Sequence, residues 1–512
     1  MTTTMSTDIG TVRLAIVPRL LFMAAAFRVL LIIFMAVSDA AIPDHNPGDD
    51  VLRFDLRLSS DCFCLEGLAC DSNWNTYNRS RSERLCIESS SSQGSTLSKL
   101  FLQPMTKWDA ARFLTLAADP KRREPGGGND DQLLDNEQAH AFFPLFSLLI
   151  RHGALFLIQT VPKSCLPPTF EGVLVISALL INTISFLVAL LCLVDLTLRL
   201  TLPNEKALQV AGTVATLFCL NPASIFFATS YSESFFAMCT FGGYVLYTSS
   251  YSYLAVVPWM AASYTRSNGC LIAAWLLIQG IAACLQTKNR SLVKQLLCLT
   301  WHLLLAAAVV TPILVHDRAG YALHCQGEEP ADWCFVEMGS FYSYVQRKHW
   351  NVGFLHYYEL KQIPNFLLAA PILVCSALGV SRWIQTSWTE QTSDDNSKGF
   401  PLRIIQWAIW AQRRSQEAVH RNTSGSILHS PQMLPHYAVL AAVALLGFAV
   451  AHVQIATRLI CSTCPAIYWH LAHLCLDKNN FLGLPIRRII FVYLGIYILI
   501  GTILHVNFLP WT

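Results

Sequence analysis

The sequence predicts an all-α polytopic membrane protein, on three observations. Hydrophobic residues make up 53% of the 512 positions and charged residues only 13%, about half of the ~25% charge usual in a globular protein. The apolar residues gather into runs long enough to cross a ~30 Å hydrocarbon core, which takes about 20 helical residues each. The 36 basic and 33 acidic residues nearly cancel, to a net charge of +3, with no block of one sign outside short connecting segments. So few charges cannot cover a soluble fold of this size, and they leave no basic footprint for nucleic acid.

The first run, Leu14 to Val37, is longer than a signal-peptide core and has no small-residue cleavage pattern after it, so it reads as a retained transmembrane helix. Further membrane-length segments lie near 141–160, 172–198, 208–229, 232–250, 252–286, 293–316, 364–381, 436–457 and 489–509. The expectation is about ten crossings. The range is nine to eleven, because Pro465 to Leu476 reads as an additional short or re-entrant segment and a count of ten would put Arg487 and Arg488 in the lumen.

Lys/Arg bias in short connections sets orientation. Lys288, Arg290 and Lys294 in one connection, and Arg382, Lys398, Arg403, Arg413, Arg414 and Arg421 in another, mark the cytoplasmic side. Counting outward puts two large polar loops on the opposite, lumenal face. The expected organisation is a cytoplasmic N-terminus with the first transmembrane helix (1–37), a large lumenal loop with interfacial helices and an acidic motif (38–140) and a transmembrane bundle (141–316). A second lumenal loop (317–363) and a C-terminal transmembrane region (364–512) with a cytoplasmic insertion (382–435) follow.

Most of the 17 cysteines sit in apolar runs, where a small polarizable core residue is the plain explanation. Cys62, Cys64, Cys70 and Cys86 crowd the first lumenal loop, and Cys325 and Cys334 stand nine apart in the second. An oxidising lumen favours bridges; Cys325–Cys334 is the preferred disulfide. A zinc site on the C-x-C-x5-C run is the sharper alternative, weakened by the lack of a nearby His. The sequon Asn78-Arg79-Ser80 is a glycosylation candidate on the lumenal side, whereas those at Asn289 and Asn422 face the cytoplasm. Ser89 to Ser98 and the Pro-Gly-Gly-Gly tract at 125–128 read as flexible insertions.

Ionisable groups beside apolar helices are where chemistry is sought. In Lys107-Trp108-Asp109-Ala110-Ala111-Arg112-Phe113, an amphipathic segment would lay Trp108, Phe113, Leu114 and Leu116 in the interface and aim Asp109 into a cleft. Desolvation would raise the proton affinity of such a carboxylate, which suits a general base; the plain alternative is an Asp that caps a surface helix or pairs with Arg112. Glu137 and His140, just before Ala141-Phe142-Phe143-Pro144, are either the rim of a substrate cleft or ordinary residues at a helix start.

Asn221-Pro222-Ala223-Ser224, followed by Tyr231-Ser232-Glu233-Ser234, reads as a Pro-broken helix with a lone intramembrane Glu. Broken helices are tolerated where backbone lines a cavity. The side of the membrane stays open here: cytoplasmic if every run crosses, lumenal if one is re-entrant. Arg266, within Tyr264-Thr265-Arg266-Ser267-Asn268-Gly269, could bind a phosphate through paired hydrogen bonds or pair with Glu233. Asp44 and His45 follow the first helix as further interface groups. No Walker loop, G-x-G-x-x-G, H-E-x-x-H or G-x-S-x-G occurs, so soluble-nucleotide and zinc-hydrolase chemistry lack a foothold.

These residues resemble the phosphatidylinositol-glycan class V (PIG-V) family of endoplasmic-reticulum mannosyltransferases, the GPI mannosyltransferase 2 family. The matching stretches are Ile42-Pro43-Asp44-His45, Trp108-Asp109-Ala110, Ala141-Phe142-Phe143-Pro144, Asn221-Pro222-Ala223, Tyr231-Ser232-Glu233 and Arg266-Ser267-Asn268-Gly269. Trp333-Cys334-Phe335, the run Trp350 to Phe366 and the terminus Asn507-Phe508-Leu509-Pro510-Trp511-Thr512 complete them. The resemblance implies a GT-C-type fold and an inverting enzyme in the endoplasmic-reticulum membrane, its active site facing the lumen. Such an enzyme transfers the second, α-1,6-linked mannose from dolichyl-phosphate mannose to a GPI precursor and needs no nucleotide sugar; no cofactor and no metal ligands are assigned, the metal requirement stays open, and there is room for a small membrane partner subunit.

In that light Asp109 is the expected catalytic base, Asp44 the runner-up, and Glu137 a match to a family acidic position. Arg266 would hold the donor phosphate, and Asn268, Trp108, His45, His140, Tyr231 and Glu233 would line the substrate site. The chain departs from the family in its insertions at roughly 59–100 and 120–132 and in Gln138, where a His is often found. The competing classes are a lipid or small-molecule transporter or flippase, using Glu233 and Arg266 as a path, and a non-catalytic membrane scaffold.

Overall fold

The computed structural model describes residues 9–45, 54, 100–119, 136–167, 169–201, 206–249, 251–286, 291–326, 334, 340–392, 433–477, 480–481 and 483–509. Asn78, Cys62, Cys64, Cys70, Cys86, both flexible tracts, the cytoplasmic sequons and most of the 382–435 insertion lie outside the described residues.

The described chain is almost wholly helical. The first helix, α1 (Ile9–Ala41), leads to a short interfacial helix, α2 (Asp109–Ala118), and a single turn, α3 (Asn136–Ala139). Next come α4 (Pro144–Thr160) and α5 (Phe170–Thr201). Pro144 opens α4 at its first turn, where the missing N–H would have had no partner anyway. The expected 208–229 segment is not one span. It breaks into α6 (Ala207–Cys219) and α7 (Ser224–Ala228) before α8 (Glu233–Tyr247) begins. Likewise the 252–286 run is broken into α9 (Val256–Ser263) and α10 (Cys270–Gln286).

The remaining helices are α11 (Leu292–Cys325), α12 (Phe341–Trp350), α13 (Ile363–Thr392), α14 (Leu434–Ala449), α15 (Ala456–Thr463), α16 (Pro465–Leu476) and α17 (Ile486–Val506). One two-residue antiparallel pairing, Asn480–Phe481 with Leu484–Pro485, precedes α17. Six helices, α1, α5, α10, α11, α13 and α17, are long and apolar enough to cross a membrane. Helices α15 and α16 together make a seventh apolar element bent by 85°, and α4, α6 and α14 are shorter apolar helices.

Helix α5 is the centre of the packing, with α8, α4, α6, α1 and α2 against it. Phe186 of α5 stacks on Phe218 of α6 at 4.9 Å. The outer helices instead turn large apolar side chains outward, among them Phe22 and Leu30 of α1, Leu296 and Leu297 of α11 and Leu367 of α13. In water that would be an error; against lipid tails it is the matching surface. Cys325 and Cys334 are disulfide-bonded, as the sequence reading prefers.

Candidate active site

The helix breaks build the site, and local side chains hold each break open. Pro222 has no N–H to continue the α6 ladder. Asn221 fills in, its Oδ1 accepting from Ala223 N at 2.9 Å and its Nδ2 donating to Phe218 O at 2.8 Å. Asn182, fully buried on α5, donates to the carbonyls of Thr229 and Tyr231 at 2.5 and 2.8 Å. Arg28 of α1 donates to Phe227 O at 2.5 Å. Backbone groups freed at membrane depth are thereby satisfied, and Tyr231, Ser232 and Glu233 are presented at the start of α8.

The second break presents Arg266. Gly269 lies so close to Ser263 that a Cβ there would fall 2.6 Å from the Ser263 Cα, which only glycine permits. The third contribution is α15, at whose end Pro465 starts α16 in a new direction. Its one charged residue is Arg458.

These three breaks and α2 converge. Glu233 is fully buried, and its Oε1 takes both Arg266 Nη1 at 2.5 Å and Arg458 Nε at 2.7 Å. Arg458 also reaches Asp109 Oδ2 through Nη1 at 3.2 Å. Its guanidinium lies 4.5 Å from the Phe226 ring centroid and 4.8 Å from that of Tyr231, a cation–π arrangement that fixes its plane. Tyr231 Oη accepts the Asp109 backbone N–H at 3.1 Å. Arg266 Nε also donates to Asn268 Oδ1, and Asn268 Nδ2 to Thr463 Oγ1 at 2.9 Å, which ties α15 to the second break.

Asp109 opens α2 directly after Trp108, whose φ of +57° is a left-handed backbone conformation rare for a bulky residue. Contacts on both sides hold it there. Trp108 Nε1 donates to His505 O at 3.2 Å, and its ring packs 5.7 Å from Phe508. The preceding Lys107 is buried, clamped by Asp44 at 2.7 Å and Asp39 at 3.1 Å.

Several sequence-based expectations change. Asp109 pairs with Arg458 and not with Arg112; Arg112 turns to Gln138 at 2.5 Å, and burial pulls its pKa down. Phe113, Leu114 and Leu116 do not lie in a lipid interface. They are buried because α2 packs on α4 and α5, with Phe113 5.4 Å from Phe146. His140 is not on a cleft rim: it is 3% exposed, its ring set among His316, His324 and Phe341 and its carbonyl accepting from His316 Nε2.

Glu233, at 0% exposure, is a counter-charge inside the protein, taken up by Arg266 and Arg458. Asp44 and Glu137 are each taken up by a lysine, Lys107 and, at 2.5 Å, Lys348 of α12. His45 is exposed and contributes its backbone N–H to Asn507 O at 3.0 Å.

Sequence reasoning missed Arg458. It is the single Lys, Arg, Asp or Glu between positions 433 and 476, and a lone charge in so apolar a stretch was the available clue.

Comparison with known proteins then decides the family. A family model described as Mannosyltransferase (PIG-V) matches residues 65–512. The chain belongs to the mannosyltransferase (PIG-V) family. It is therefore a glycosyltransferase. It is 29% identical to human GPI alpha-1,6-mannosyltransferase 2, over 80% of this chain and 87% of the relative. The mouse protein of the same name is 27% identical, over 95% and 96%, and Drosophila melanogaster GPI mannosyltransferase 2 is 27% identical, over 96% and 98%. No solved structure matches.

Proposed function

We propose that this mannosyltransferase transfers the second mannose, α-1,6-linked, from dolichyl-phosphate mannose to a GPI-anchor precursor, with inversion, on the lumenal face of the endoplasmic-reticulum membrane. The observation that carries the mechanism is the position of Asp109. It is a carboxylate with a 36% exposed side chain, at the first turn of a helix whose other face is locked into the bundle. Beside it stands Arg458, which shares the buried Glu233 carboxylate with Arg266.

Asp109 takes the proton of the acceptor hydroxyl. The acceptor oxygen forms its bond to the anomeric carbon of mannose as the bond from that carbon to the phosphate oxygen breaks, and the electron pair leaves with dolichyl phosphate. Attack opposite the leaving group inverts the anomeric centre. Arg266 holds the donor phosphate and offsets the negative charge that grows there. A GT-C-type fold of nine to eleven crossings is the expected frame, of which six long helices and the bent pair have the length and apolarity to cross. The donor carries an activated sugar, so no cofactor is assigned, and a small membrane partner subunit is compatible with this reading.

The test is the GPI-precursor profile, by radiolabelled mannose and lipid chromatography, of cells lacking the protein and rescued with wild type or Asp109→Asn at matched expression. Accumulation of the one-mannose intermediate, cleared by wild type alone, is expected. Normal progress past the second mannose without the protein would instead favour a transporter or scaffold. In membranes, Arg266→Ala should impair use of the donor more than of the acceptor.

A further inference from the structure

Glu233, Arg266 and Arg458 form a buried trio with two positive charges and one negative. Desolvated charge without a partner is strongly destabilising, and in this structure the surplus falls to Asp109. Within this quartet the side-chain exposures are 0% for Glu233, 10% for Arg458, 14% for Arg266 and 36% for Asp109. The compensating charge is therefore also the most accessible of the four, and it is the group assigned above to accept a proton.

The two edges of Arg458 are not equivalent. Nε is fixed on Glu233 at 2.7 Å, inside the protein, and the guanidinium plane is held against Phe226 and Tyr231. Nη1 faces the exposed carboxylate at the longer distance of 3.2 Å. A guanidinium held in this way presents a ready donor edge to any oxyanion, phosphate as well as carboxylate.

We propose that Arg458 is an anion-exchange site in which a phosphate group of a lipid substrate displaces Asp109 from Nη1, so that Asp109 becomes free to act only once that phosphate is in place. The proposal rests on the reading of Asp109 as the base. With the phosphate bound, the trio is compensated again, and the carboxylate oxygen that faced Arg458 turns to the acceptor hydroxyl. An empty site would hold its base occupied, which couples substrate binding to proton removal without moving a helix. Two sources supply the chemistry: the isoprenyl phosphate of the donor and the inositol phosphodiester of the acceptor.

The test is a double-mutant cycle on the purified full-length protein in phosphatidylcholine nanodiscs, with dolichyl phosphate and phosphatidylinositol as separate probes. Asp109→Asn removes the internal competitor, so it should bind one of the two lipids about three- to tenfold more tightly than wild type. Arg458→Gln should bind that lipid more weakly, and in its background Asp109→Asn should bring no gain. A gain with dolichyl phosphate alone assigns the exchange to the donor, and one with phosphatidylinositol alone to the acceptor. Should Arg458→Gln fail to elute as a single folded species, Arg458→Lys takes its place in the cycle, with a gain smaller than in the wild-type background.

If Asp109→Asn binds neither lipid more tightly, or if its gain survives loss of Arg458, the exchange is wrong. The reading of Asp109 as base is judged separately, by transfer. An Asp109→Asn protein that is inactive but binds no more tightly overturns the exchange alone; one that is active and binds more tightly overturns the base assignment alone.

Discussion

Arg458 lies 349 residues beyond Asp109 in the chain and 3.2 Å from its carboxylate. That pairing joins α2, a helix within the large polar loop, to the bent α15–α16 element. It makes the candidate site a product of four chain segments, each ending or bending because its local sequence cannot continue a helix.

Asp109→Asn should lower mannose transfer by at least about a hundredfold, the usual scale for loss of a general base, and, because Arg458 loses its exposed counter-charge, should also cost about 1 kcal/mol of stability. Mannose incorporation into GPI precursors by isolated membranes measures it, with Asn78→Gln as a variant expected to transfer normally. Near-normal transfer by Asp109→Asn would return attention to Asp44 and Glu137.

Asp44→Asn should behave differently. Asp44 is a partly exposed partner of buried Lys107, and Asp39 remains on the same ammonium group. The expected loss is about 1 kcal/mol of stability, with transfer staying within about tenfold of wild type.

Glu233→Gln leaves two buried guanidinium groups without their shared counter-charge, at about 3–5 kcal/mol. The variant should express poorly and melt early. Adding Arg266→Gln removes one of the surplus charges, and thermal melting of the double variant should show partial recovery.

At Trp108 the backbone favours glycine while the side chain does not. Both Trp108→Gly and Trp108→Ala lose the indole bond to His505 and the packing on Phe508, so both should lose transfer. The glycine variant should be the more stable by about 1 kcal/mol, because a left-handed φ strains alanine. Equal melting temperatures would show that the backbone relaxes once the indole is gone.

Cys334→Ser opens a bridge that closes a short loop, worth about 2–3 kcal/mol in a chain-entropy account. Wild type should show a mobility shift between reduced and non-reduced gels that the variant lacks, and the connection between α11 and α12 should become more sensitive to protease.

By itself the sequence determined what composition and short-range pattern carry. These are the membrane class, the position of most apolar helices, the break at Asn221-Pro222, the Cys325–Cys334 bridge and the nomination of Asp109, Tyr231, Glu233 and Arg266, which the fold brings together. Each is legible because it depends on runs of about twenty residues, on a proline or on residues near one another in the chain. The pairing of Arg266 with Glu233 stood among the sequence alternatives and is found; the other long-range partners were decided by the tertiary structure alone. Glu233 and Arg458 are 225 residues apart, and no periodicity relates them. Asp44 reads as a free acidic residue until Lys107 is folded onto it, and His140 as a surface group until α11 and α12 cover it. A charge near lipid must find an opposite charge, and the sequence shows that need without showing the direction in which the chain satisfies it.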